Sequence, residues 1–217
     1  MKHNPLACFI SFLVSLSSFT FAQVPGFHRH DGFFLSMNIG TGSGPIELDA
    51  SGDSTVLIRN INVTGPGAAF EFKIGFAAAE NLLVSFDLNT RAISAPNMEI
   101  DGIRLSSSDN ITAGDNSAGI GITYYFMPTN MFISGTLGTG RFTIQNKSAN
   151  FKSDSEWGRA IHIKVGKEWW VSNNWGLGVA AGFGHVAADD KPDSSNPSYK
   201  GKLSSGKFFV LFNTTFN

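Results

Sequence analysis

The chain predicts an all-β fold: an eight-stranded antiparallel up-and-down transmembrane β-barrel. Three observations predict it. Segments alternating apolar and polar residues recur along the 217 residues, the period of a strand whose two faces meet different surroundings. Tight turns and long polar connections take turns between those segments. The last ten residues alternate as well, with Phe208, Val210, Phe212, Thr214 and Phe216 on one face and Asn213 and Thr215 on the other.

Composition narrows the class. Residues 1–22 read as an export signal: Lys2 supplies positive charge, Leu6 to Leu16 an apolar stretch, and Thr20-Phe-Ala22 a small residue suited to cleavage. That stretch is too short and serine-interrupted to span a bilayer, and Cys8 lies within it rather than at a lipidation site. Residues 23–32 are then a periplasmic leader, and 33–217 the barrel. Removing 22 from 217 leaves 195 residues with no cysteine, so no disulfide supports the exported fold. A net charge of −1 argues against a nucleic-acid partner. Charged residues are only 15%, against about 25% in ordinary soluble chains. No mature segment holds 18 consecutive apolar residues, so a closed barrel is the remaining way to cross a bilayer.

The eight strands follow in order. Phe33 to Gly40 sets Phe33, Leu35, Met37 and Ile39 on one face. Gly67 to Ala77 alternates Phe70, Phe72, Ile74 and Phe76 with Glu71, Lys73 and Gly75. Leu82 to Arg91 sets Leu82, Val84, Phe86 and Leu88 against Ser85, Asp87, Asn89 and Arg91. Ser117 to Phe126 carries Ala118, Ile120, Ile122, Tyr124 and Phe126, and Met131 to Phe142 carries Met131, Ile133 and Leu137. Gly158 to Trp169 sets Ile161, Ile163 and Val165 against His162, Lys164 and Glu168. Trp175 to His185 opposes Trp175, Leu177, Val179 and Phe183 to a row of glycines, and the terminal strand closes the set.

Ala78–Asn81, Met127–Asn130 and Trp170–Asn174 are tight turns, whereas 41–66, 92–116, 143–157 and 186–203 are long and polar. Short turns at one end and long loops at the other match periplasmic turns and extracellular loops. Val56 to Val63 reads as a continuation of the second strand beyond the membrane, with Pro66-Gly67 breaking the ladder. Aromatic residues gather beside the short turns: Phe33, Phe76, Tyr125, Phe126, Phe132, Trp169, Trp170, Trp175 and Phe216. Phe76, Phe126, Trp169, Trp170 and Trp175 form the expected interfacial girdle.

On these residues the chain resembles the small outer-membrane barrel families, namely the OmpA barrel domain, OmpX and OmpW. The resemblance implies a Gram-negative outer-membrane location and contact with outer-membrane lipid and lipopolysaccharide. It also implies handling by the barrel-assembly machinery, whose signal strand maps onto Phe208, Phe212 and Phe216. Asn217 departs from the terminal Phe usual in such proteins, and no helix-rich periplasmic domain of the OmpA type follows.

Register then selects the charges that matter. A charge on the lipid face at mid-membrane costs on the order of 2–4 kcal/mol, so Glu71, Lys73, Asp87, Arg91, His162, Lys164 and Glu168 are predicted to point inward as an ion-pair network. If the second hairpin turns around Glu80, Lys73 faces Asp87 with Glu71 diagonal to it. The glycines 176, 178, 182 and 184 leave space for Arg91 to cross the lumen. His162 has no evident nucleophile beside it, which argues against an enzyme.

Remaining motifs are weaker. His28-Arg-His30-Asp31 reads as a solvated leader rather than a metal site. Asp49, Asp53, Asp189, Asp190 and Asp193 fit no calcium-loop spacing, and four glycosylation-type triplets mean little in a bacterial protein. No catalytic residue, cofactor or metal is predicted. The expectation is a monomeric, non-enzymatic barrel with a mostly plugged polar lumen and a structural or surface-interaction role. Its alternatives are a narrow channel for ions or small solutes and a soluble, lipocalin-like barrel with its apolar face inward.

Overall fold

A strand with one apolar face can bury that face in lipid only if its backbone ladder has no open edge, and the chain meets this by closing on itself. The computed structural model describes residues 29–52, 59–105, 108–192 and 198–217. The export-signal reading, Cys8, His28, Asp53, Val56 and Asp193 lie outside the described residues.

The described residues form thirteen strands: β1 (Phe33–Ser43), β2 (Ile46–Ser51), β3 (Asn60–Thr64), β4 (Pro66–Ala79), β5 (Leu82–Ser94), β6 (Asn97–Ile100), β7 (Ile103–Leu105), β8 (Ile111–Phe126), β9 (Met131–Asn146), β10 (Phe151–Asp154), β11 (Gly158–Trp170), β12 (Trp175–Asp189) and β13 (Lys200–Phe216). Eight of them form the ring β1-β4-β5-β8-β9-β11-β12-β13, antiparallel throughout, and β13 pairs back onto β1 from Leu35↔Phe216 to Ser43↔Phe208. The fold is thus all-β with a closed eight-stranded wall.

The five other strands lie in the segments predicted to be loops. β2 continues β1 along β13, and β3 and β6 continue β4 and β5, so that part of the wall rises beyond the apolar band. Gly44 makes the step from β1 to β2. Its φ is 148°, and a Cβ there would meet the carbonyl oxygen of Gly206 at 2.0 Å, so only glycine fits. The expected break at Pro66-Gly67 is corrected. Both residues pair in the ladder, as Ser43↔Pro66 and Gly42↔Gly67, and the interruption falls one residue earlier at Gly65. Proline is tolerated there because it opens the strand.

At the opposite end the turns are tight, and Asn81 and Asn130 take the left-handed conformation they need (φ 64° and 53°), which asparagine tolerates better than most residues. The apolar faces point outward. Phe70 is 47% exposed, Ile161 40% and Ile163 52%, with Phe72 half-buried. This disposes of the lipocalin-like alternative, which required those side chains inside.

The interior is layered. Beside the short turns Phe34, Leu83, Tyr125, Phe132 and Ala180 form an apolar cluster. At the loop end a larger one gathers Ile46, Val63, Ile93, Phe142 and Val186 with smaller neighbours. Buried polar side chains fill the middle. Two of the aromatics predicted beside the short turns, Tyr125 and Phe132, therefore face the core. Trp170 also leaves the girdle: its ring lies 5.0 Å from that of buried His30, on the lumen side of β11. Phe76, Phe126 and Trp175 are exposed on the outer wall, and Trp169 shares their outward parity.

Candidate functional site

The candidate site is the polar middle of the lumen. Strand parity aims alternate residues of β4, β5, β8, β11 and β13 inward, and register sets which of them meet. Lys73 and Asp87 are directly opposed, with Lys73 Nζ 2.8 Å from Asp87 Oδ2. Asp87 also accepts hydrogen bonds from Ser85 Oγ and Thr136 Oγ1, both at 2.5 Å, and Lys73 donates to Ser134 Oγ at 2.8 Å. Glu71 accepts from Asn38 Nδ2 at 2.7 Å, pairs with Lys164 from across the lumen, and lies 3.7 Å from Lys73 Nζ. A carboxylate held this way keeps its charge without water, because every lone pair in use faces a donor.

A second centre forms around Asp115, which the sequence reading left in a loop. Arg91 Nε and Nη2 both reach Asp115 Oδ2, at 2.9 and 2.8 Å, and Lys207 binds Oδ1. The remaining Arg91 donors go to the Gly44 carbonyl at 2.8 Å and Ser205 Oγ at 3.0 Å. Arg91 therefore does not enter the glycine row of β12. That space belongs to the neighbouring strand: a Cβ on Gly184 would meet His162 Nδ1 at 2.6 Å, one on Gly182 Lys164 Cβ at 2.7 Å, and one on Gly178 Glu168 Cγ at 2.6 Å.

His162 has a hydroxyl beside it after all. Ser117 Oγ lies 3.0 Å from its Nε2. Among the described residues His162 Nδ1 has no hydrogen-bond partner to orient the ring, and both side chains are buried in the wall. Glu168 accepts from Thr215 Oγ1 at 2.8 Å and has no cation within ion-pair distance among the described residues. Adding it to Glu71, Asp87 and Asp115 gives four acids against Lys73, Arg91, Lys164 and Lys207. Charge balance lowers the cost of burying so many ionisable groups together.

His30 departs from the solvated-leader reading. It is fully buried, stacked on Tyr125 at 3.5 Å, and its Nδ1 and Nε2 lie 2.8 and 2.9 Å from the side-chain oxygens of Asn217 and Asn130. The leader thus enters the short-turn mouth, and the residue after the terminal Phe216 clips it there.

Neither a protein-family profile nor a curated protein sequence matches the chain. Solved structures do. Neisserial surface protein A matches with 12% identity over 83% of this chain and 95% of its own, at a TM-score of 0.52. Two more are similar at lower scores. The outer membrane protein OprG from Pseudomonas aeruginosa has 15% identity, covers 87% of this chain and 98% of its own, and has a TM-score of 0.49. The outer membrane protein AlkL, solved in lipid bilayers, has 14% identity, covers 100% and 96%, and has a TM-score of 0.48. This chain has the fold of a small outer-membrane β-barrel. At 12% identity the likeness to Neisserial surface protein A shows the fold alone.

Proposed function

We propose that the chain is a non-enzymatic, monomeric barrel of the bacterial outer membrane whose lumen is closed and whose loop-side end carries its interactions. The observation that supports this reading best is the lumen itself. Four acids and four bases are buried there, seven of them in mutual ion pairs, between apolar clusters at both ends. Moving an ion through would mean separating ion pairs that are buried on both sides. Phe208, Phe212 and Phe216 on the outer face of β13 would present the signal strand to the barrel-assembly machinery.

Reconstituted into planar bilayers, the protein is expected to show no resolvable single-channel steps, and Lys73→Ala is expected to show none either. Discrete steps in the parent protein would overturn the closed-lumen reading in favour of a narrow channel.

One observation favours a more specific surface role. Above the polar layer a cavity of about 290 Å³ is lined by Ile46, Ile61, Phe142, Ile144, Phe151 and Leu203, with Asp190 and Ser153 among its few polar groups. An apolar recess at a water-facing mouth suits a small apolar ligand. Methyl NMR with a short-chain hydrocarbon is expected to shift Ile46, Ile61 and Ile144 while leaving Ile133 and Ile163 on the outer wall unmoved. Equal shifts at both places would mean that the solute merely partitions into lipid, and this role would fall.

A further inference from the structure

The outer wall is not uniform at the loop-side margin of its apolar band. On β11 the outward column Val165, Ile163, Ile161 ends in Arg159, itself outward and exposed. Register places Ile161 between Leu137 of β9 and His185 of β12, and Arg159 between Thr139 and Ala187. These residues line a groove of about 480 Å³ in which Leu137, Ile161 and His185 form one row and Arg159 and Ala187 belong to the next row toward the loops. A second groove of about 440 Å³ shares Arg159 and Ala187 and rises past Trp157.

Two features fix what this surface faces. Trp157 is 53% exposed, with the Arg141 guanidinium 4.9 Å from its ring. An exposed tryptophan directly above an apolar band marks the headgroup level of a bilayer. Arg159 stands at that level, with Asp49 and Asp189 lining the second groove beside it but not paired to it. Among the described residues no carboxylate lies within ion-pair distance of it, whereas Arg91 holds Asp115, Arg104 holds Glu99, and Arg141 lies 3.9 Å from Asp154. Lys202 nearby is opposed by both Asp49 and Asp189, so it adds little net positive charge.

We propose that this wall is a binding site for a phosphorylated lipid of the surface leaflet. The lipid phosphate takes the fork of the Arg159 guanidinium with His185 as a second donor, and an acyl chain lies along Leu137 and Ile161. A guanidinium is suited to this because its paired N–H groups match two phosphate oxygens. The site rests on the outer-membrane reading above.

The test uses full-length protein in phosphatidylcholine nanodiscs, titrated with lipid A or with lipid A stripped of its phosphates, and native mass spectrometry to count bound lipid. Arg159→Ala is expected to weaken lipid A binding roughly fivefold, His185→Ala to weaken it less, and Arg104→Ala to leave it unchanged. The phosphate-free lipid is expected to bind parent and Arg159→Ala alike. Equal lipid A binding by parent and Arg159→Ala, or no preference of the parent for the phosphorylated form, would overturn the site. Fractionation keeps the two readings apart. Recovery of the parent in the aqueous fraction without detergent would refute the membrane placement itself, whereas a detergent-requiring protein that ignores the phosphates would refute only this site.

Discussion

Asp115→Asn is expected to destabilise the barrel by about 3–5 kcal/mol, the cost of breaking a buried charge network from one side. The substitution keeps the size of the side chain and removes the charge that Arg91 and Lys207 share. Arg91 retains the Gly44 carbonyl and Ser205, but Lys207 Nζ has no other acceptor among its hydrogen bonds in the described residues. The measurement is equilibrium unfolding in urea from lipid vesicles, read by the mobility difference between folded and unfolded barrel on gels. Adding Lys207→Met should recover part of the loss by removing one orphaned cation. A variant as stable as the parent would show that water reaches this layer, and the closed-lumen reading would lose its support.

Ile163→Lys is expected to cost about 2–4 kcal/mol in the same assay, because it places a charge on the lipid face of the band. Ile163 is 52% exposed on the outside of the wall. In a water-soluble protein such an exposed position would accept lysine within about 0.5 kcal/mol. Thr139→Lys on β9 serves as the control, since Thr139 lies above the band beside Arg159 and should tolerate the charge. Equal tolerance at both positions would argue that water, not lipid, covers the wall.

Much of the site was legible wherever hydrophobic alternation was strong. Phe70-Glu71-Phe72-Lys73 can be satisfied in only one register, so the inward parity of Glu71 and Lys73 follows from their neighbours. The opposition of Lys73 and Asp87 follows from a short turn at Glu80. Asp115 and Lys207 escaped notice because they sit just outside segments with that contrast. On β8 the outward neighbours of Asp115 are Gly114 and Asn116, which show no apolar face, and on β13 Lys207 stands one residue before the alternating terminal segment, which begins at Phe208. Parity was the available signal. Counting back by twos from inward Ser117 reaches Asp115, and from inward Phe209 reaches Lys207.

His30 and Trp170 failed to read correctly for a different reason. Their surroundings are made by Tyr125, Asn130 and Asn217, which lie far away in the chain, and no local pattern encodes a mouth assembled from four separate segments. Of the loop-end extensions only the one expected at Val56 to Val63 was legible, and its described residues from Asn60 on lie in β3, which continues β4. Elsewhere Ile93, Phe142 and Val186 point inward, so both faces of those strands differ little from a loop in hydropathy.

The sequence by itself determined the eight strands of the closed wall, their outward faces and the end at which the chain turns tightly, because alternation and turn chemistry are local and a lipid-facing wall admits one parity. Only the tertiary structure decided which charges meet, how far the wall rises beyond the band, what fills its mouths and that Arg159 faces outward with no described carboxylate within ion-pair distance. Those outcomes depend on cross-barrel distances, which closure sets for all eight strands together.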